Sequence, residues 1–186
     1  MSEAVFEGYH GSSATCAEAI VASGEVQPSL GKDHWYGQGA YFFIDGVSDP
    51  LENARDWAVA QSWCKDERKN RYSVYAVVKA RVTSKSDHVL DMRQVENASV
   101  FEQARRLVVQ KLSQGSRRTK YYDSMVFDYL AHHLLVDVFI GNQYIKFSVH
   151  RINGMKSRLP NVTMLCARKS DRVVIENLEI AAKGNF

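Results

Sequence analysis

The chain has 186 residues, 45% of them apolar and 24% charged, with a net charge of +3. That balance belongs to a globular domain and excludes disordered and collagen-like chains; the three cysteines, Cys16, Cys64 and Cys166, are too sparse and too scattered for a disulfide framework or a cysteine-rich zinc site. The opening MSEAVFEGYH has no basic-then-apolar signal pattern, and no apolar run approaches the roughly 20 residues that span a bilayer, so one cytoplasmic domain over residues 1–186 is expected.

In chain order, residues 4–10 (AVFEGYH) read as a first strand. Residues 14–23 follow as a short helix, capped by Ser12 or Ser13 and stopped by Gly24. Pro28, Gly31, Gly37 and Gly39 punctuate a loop over 25–39, and AYFFI at 40–44 is a strand. Residues 50–63 read as a helix with Pro50 in its first turn and a face made of Leu51, Ala54, Trp57, Ala58 and Gln61. The Val- and Tyr-rich run 72–82 is the clearest strand, and 89–92 is a shorter one. Phe101, Ala104, Leu107, Val108 and Leu112 recur at helical spacing over 98–113. After a polar, basic break at 113–120, MVFDYLAHHLL predicts a helix and VDVFIG a strand. QYIKFSVHRI at 143–152 reads as strand and NGMKSRLPN as loop; TMLCARKSD begins a final strand that VVIENLEI extends or pairs with. Strands outnumber helices without regular alternation, which favours an α+β domain.

The charge is uneven. Residues 1–110 hold 12 Lys and Arg against 15 Asp and Glu, whereas residues 111–186 hold 12 against 6. Such asymmetry points either to an anionic partner for the C-terminal half or to a solvated basic face.

Three segments carry the candidate chemistry: YHGSS at 9–13, WYGQGAYFF at 35–43 and ENARDWA at 52–58. Each has a purely structural reading, since His10 alone is more often a satisfied core or capping histidine than a ligand-binding group. The glycines around Gln38 let backbone approach a ligand closely. No metal is expected: His132 and His133 are adjacent and point apart on a helix.

In their order and spacing, GYHGS, WYGQGAYFF and ENARDWA resemble the nucleotide-binding core of the ADP-ribosyltransferases. The branch is that of the poly(ADP-ribose) polymerases, diphtheria toxin and small bacterial toxins of this kind. The resemblance is good over residues 5–60. It implies an ADP-ribosyltransferase-like split β-sheet core with peripheral helices, and NAD as co-substrate. His10 would then bond a ribose hydroxyl, Gly11 and Ser12 would lie along the dinucleotide, and the Gly11 backbone would hold the nicotinamide carboxamide. Tyr41 would stack on the nicotinamide with Tyr36 on its other side, and Asn53 would touch the carboxamide.

This branch completes its site with a glutamate opening a late strand. Here the resemblance puts Thr163 at that place, or Gln143 on local similarity, with Glu176 and Glu179 as outside candidates. Without the carboxylate it implies transfer of single ADP-ribose units rather than chains. The Q/E-x-E motif of arginine-modifying toxins is absent, so the expected acceptor is a nucleic acid or a protein. Arg117, Arg118, Lys120, Lys146, Arg151, Lys156, Arg158, Arg168 and Lys169 are candidates to line the acceptor side. Expected with these is an intracellular toxin, of toxin–antitoxin or phage-defence type, with an antitoxin protein as a possible partner. The competing expectations are a catalytically inactive NAD- or ADP-ribose-binding module and an NAD glycohydrolase.

Overall fold

The computed structural model describes residues 2–31, 34–114 and 120–186, and only the backbone of Ile152. In chain order these form β1 (Glu3–Ser13), α1 (Ala14–Ser23), β2 (Ala40–Phe43), α2 (Pro50–Ser62), β3 (Trp63–Cys64) and β4 (Lys69–Asn70). They continue with β5 (Val74–Lys85), a single 3-10 turn (Ser86–His88), β6 (Val89–Asp91), α3 (Val95–Ser113) and α4 (Asp123–Leu134). β7 (Val138–Gln143), α5 (Ser148–Ile152), β8 (Val162–Ala167) and β9 (Val173–Asn185) complete the α+β fold.

Local chemistry sets the first two helices. The Ser13 hydroxyl accepts from the Cys16 N–H, and Gly24 ends α1 in the left-handed region at φ 71° with its N–H on the Ile20 carbonyl. Asp49 caps α2 by accepting from the Glu52 N–H, and Pro50 occupies its first turn, where no donor is lost.

Seven strands form one sheet in the order β6-β7-β8-β2-β1-β5-β9, antiparallel except for the parallel pair β6–β7. β1 and β5 pair over their whole length, from Glu3↔Lys85 to Ser13↔Tyr75. β1 and β2, by contrast, share one register pair, Tyr9↔Phe43. The sheet is therefore two half-sheets, β6-β7-β8-β2 and β1-β5-β9, joined at a single rung.

Ala14 and Ala17 of α1 pack on Ala76 and Val78 on one face. Ala54 of α2, with Phe101, Ala104 and Val108 of α3 and Phe127 and Leu130 of α4, covers Val77, Phe139 and Met164 on the other. Alternation along β5 sends Val77 and Val78 to opposite faces.

Two predicted elements differ. The run 143–152 is not a strand: after Gln143 the chain leaves the sheet, buries Ile145 and Phe147 from a loop and closes into α5. β8 already occupies the edge of β7 facing β2, so the alternating pattern finds no free partner there. The final strand is two distant ones, with β8 between β7 and β2 and β9 at the far edge on β5.

Candidate functional site

Where the half-sheets part, β1 runs on through His10–Ser13 with β5 on one edge and no strand partner on the edge toward β2. The main chain of this stretch is open on that side. A cavity of about 280 Å³ lies there, lined by His10, Gly11, Ser29, His34, Trp35, Tyr41, Phe43, Trp57, Gln61 and Met164.

His10 crosses the gap. Its Nδ1 lies 2.9 Å from the Tyr41 carbonyl oxygen. A carbonyl only accepts, so Nδ1 carries the proton and Nε2 of the neutral ring is left as an acceptor. Burial pushes the His10 pKa below its ordinary value, and the bond to Tyr41 opposes that shift only in part. The ring is neutral at physiological pH.

Gly11 permits the close approach of α2. A Cβ at this position would overlap the Ala54 carbonyl of that helix, so only glycine lets the helix lie against β1 and bring Trp57 and Gln61 over the cavity.

Tyr41 is fixed at both ends. Its hydroxyl donates to the Gly37 carbonyl at 2.6 Å and accepts from the Tyr36 N–H at 3.0 Å. Burial, with the neighbouring Cys166 thiol, raises its pKa well above the usual phenol range. Trp35 meets the Tyr41 ring edge-on at 6.4 Å and the Trp57 ring at 5.7 Å, giving the cavity three aromatic walls. Cys166, opposite Tyr41 in the β2–β8 register, is fully buried, and burial pushes its thiol up to about 12.

The other predicted site residues lie elsewhere. Tyr36 stacks on Tyr41 at 6.3 Å and 16°, but it is 1% exposed and points its hydroxyl to Gln143, 2.9 Å away. It backs Tyr41 instead of facing it across a ligand gap. Asn53 is buried, and its Nδ2 donates to Ser48 Oγ at 2.8 Å, pinning the turn before α2. The Ser12 hydroxyl donates to the Ser13 carbonyl, and Ser12 does not line the cavity.

Thr163 is fully buried; its hydroxyl accepts from the Val47 N–H at 3.0 Å and donates to Asn142 Oδ1 at 2.8 Å. Strand alternation puts Thr163 on the face opposite its neighbour Met164, and it is Met164 that reaches the His10 cavity. Gln143 belongs to a second cavity, described below. Glu176 and Glu179 are on edge strand β9, paired in register with Arg81 and Lys79. None of the described residues that line the cavity carries a carboxylate.

Sequence reasoning singled out Trp57 and Gln61 only as part of a helix face. A polar Gln61 one turn beyond Trp57 on an otherwise apolar stripe was the available signal. Trp35 opens the WYGQGAYFF motif but is given no role there, and no local pattern marks the place of His34 or Met164.

Among the described residues, none of the predicted basic acceptor residues lines the His10 cavity. Arg117 and Arg118 lie outside the described residues. Arg168 pairs with Asp128 at 2.8 Å, and Lys169 with Glu25 at 2.8 Å. Lys146, Arg151, Lys156 and Arg158 are exposed on or beside the loop around α5, and Lys120 lies over the Tyr122 ring at 4.9 Å. Among the described residues no group of three or more His, Cys, Asp or Glu is placed to hold a metal ion, and no helix is long and apolar enough to cross a membrane.

No family model matches the chain, and no solved structure matches it. An uncharacterized protein of Methanocaldococcus jannaschii is 31% identical over 101 residues, which are 54% of this chain and 43% of that protein. The chain therefore covers less than half the length of that relative.

Proposed function

We propose that this chain is an NAD-dependent mono-ADP-ribosyltransferase with an ADP-ribosyltransferase-like split-sheet core. One observation carries the reading. His10 and Tyr41, the two residues on which the resemblance rests, are bonded to each other across the opening between the half-sheets and line one aromatic-walled cavity. Nicotinamide is a flat ring, and aromatic walls bind flat rings by stacking and edge contacts. In this reading Tyr41 and Trp57 hold the ring, open main chain at Gly11 bonds the carboxamide, and His10 Nε2 accepts from a ribose hydroxyl. The bond from the nicotinamide nitrogen to ribose C1′ breaks, nicotinamide leaves with the bonding pair, and an acceptor nucleophile attacks C1′. Holding NAD in position for that cleavage is the protein's main contribution.

With Met164 on the cavity wall and no carboxylate among the described lining residues, the acceptor in this reading supplies its own activation, its proton passes to solvent, and single units are transferred. Nucleic acid and protein are the acceptor classes. An intracellular toxin held by an antitoxin is the biological setting the resemblance suggests, by analogy alone.

The same Met164 favours a second reading, a binding module that holds NAD or ADP-ribose without cleaving it. Incubation with labelled NAD and mixed RNA, DNA and protein separates the two. Transfer of label that Tyr41→Ala, His10→Ala and Trp57→Ala each abolish supports the transferase. NAD bound but neither cleaved nor transferred gives the binding module. Nicotinamide release without a labelled macromolecule gives a glycohydrolase.

A further inference from the structure

A larger cavity, of about 570 Å³, opens on the other side of the segment His34–Tyr36. His34 and Trp35 line both cavities, so this segment is the wall between them. The floor of the larger one is aromatic: Phe101 and Phe127 are buried with ring centroids 4.7 Å apart, and Trp35 and Tyr122 stand at the sides.

Its polar lining sets the guanidinium groups of Arg93 and Arg105 beside the carboxylates of Glu102 and Asp123. Asp91 grips Arg93 through Nε at 2.9 Å and Nη2 at 2.7 Å, and no bond from its Nη1 to a described residue is seen. Arg105 bonds Glu102 at 2.8 Å through Nη1 and lies over the Phe101 ring at 5.0 Å. Its Nε is buried with no hydrogen-bond partner among the described residues. A buried donor without an acceptor is costly and is the kind of group that a ligand satisfies. Lys120 lies over the ring of the lining residue Tyr122.

We propose that this second cavity takes the acceptor, and that the acceptor is a nucleotide unit of single-stranded nucleic acid. Its base lies on the aromatic floor and its phosphate faces Arg93 and Arg105. The proposal rests on the reading of the His10 cavity as the NAD side. Cavities of this size suit a nucleotide-sized ligand. A base presents a π-face to the aromatic side chains, and its phosphate supplies an acceptor oxygen for the buried Arg105 Nε beside a second guanidinium, Arg93. An acidic protein side chain would meet the arginines but leave the aromatic floor unused, so the lining favours a nucleotide over a protein acceptor.

The test measures binding of a fluorescein-labelled, mixed-sequence 12-mer RNA and of its DNA counterpart to the full chain, without NAD. Parallel arms use competing AMP and a folded acidic protein. Binding weakened at least tenfold by Tyr122→Ala and by Arg105→Gln, with a shallower salt dependence for Arg105→Gln, is the expected result. Tyr122→Ala changes a half-buried rim residue, so the outcome stands even if Arg105→Gln fails to fold. Three results would overturn the proposal: no binding of either oligonucleotide, binding indifferent to both variants, or competition by the acidic protein alone. Nicotinamide release by the same preparation reports the His10 cavity separately. Release without oligonucleotide binding sinks the acceptor assignment alone. Oligonucleotide binding without NAD binding or release sinks the NAD reading, and with it this cavity's role as an acceptor site.

Discussion

The Nδ1–H of His10 bonds the main-chain carbonyl of Tyr41 across 2.9 Å, one residue beyond the single ladder pair Tyr9↔Phe43. A side chain thus continues a connection between β1 and β2 that the backbone abandons. His10 is both a structural tie and the group best placed to meet a ligand.

Replacing His10 by Ala removes that tie. The expected loss is about 1 kcal/mol for one part-buried hydrogen bond, seen as a fall in melting temperature of roughly 2–4 °C. On the proposed function nicotinamide release falls at least tenfold in the same protein. Thermal unfolding and a release assay measure the two losses separately.

The same residue sets a pH dependence. Burial holds His10 below its ordinary pKa of about 6.5 in the folded chain, so between the two values the unfolded chain binds the extra proton. Its contribution to stability is complete above about pH 6.5 and is lost as pH falls toward the folded value. Urea midpoints followed from pH 7.5 to pH 5 should drop more for the native chain than for His10→Gln. Parallel curves would show that His10 titrates alike in both states.

Thr163→Val keeps the shape of the side chain and deletes its hydroxyl. The Val47 N–H and Asn142 Oδ1 then lose their partner, at an expected cost of about 1–3 kcal/mol. Because Thr163 faces away from the His10 cavity, nicotinamide release per folded molecule should not change. A folded variant with release lost would return Thr163 to the site and displace Met164 from it.

Gly11→Ala tests the seat of α2. The new methyl meets the Ala54 carbonyl, a backbone group that cannot swing aside. Overpacking of this kind costs about 1–3 kcal/mol or more, and the helix must retreat from β1. Trp57 moves with it, so tryptophan emission should shift along with the melting temperature. A stable Gly11→Ala protein with native emission would contradict the close approach.

The elements legible in the sequence are those with local signals. Ser13 and Gly24 mark the two ends of α1 and Pro50 the start of α2 by chemistry within a few residues, and β5 is marked by its Val and Tyr content. The alternation in QYIKFSVHRI failed because pairing is non-local: whether a strand-like run finds a partner depends on the place that β8 takes beside β7. The same limit explains the site. His10, Gly11 and Tyr41 lie in short motifs, whereas the choice between Thr163 and Met164 turns on which face of β8 meets α2, and that is set only once the sheet is assembled. The charge excess of residues 111–186 is likewise partly answered from distant parts of the chain, where Asp128 and Glu25 pair with Arg168 and Lys169.

The lone rung between Tyr9 and Phe43 has a mechanical consequence. Two well-laddered plates share one rung, and beyond it the His10 strut and the helix α2, packed across both, hold them together. A molecule wedged in the cavity touches Gly11 on one plate and Tyr41 and Met164 on the other, so it replaces the absent rungs. Occupancy should therefore stiffen the whole sheet, and slowed amide exchange along β1 and β2 would register a bound ligand even where no chemistry follows.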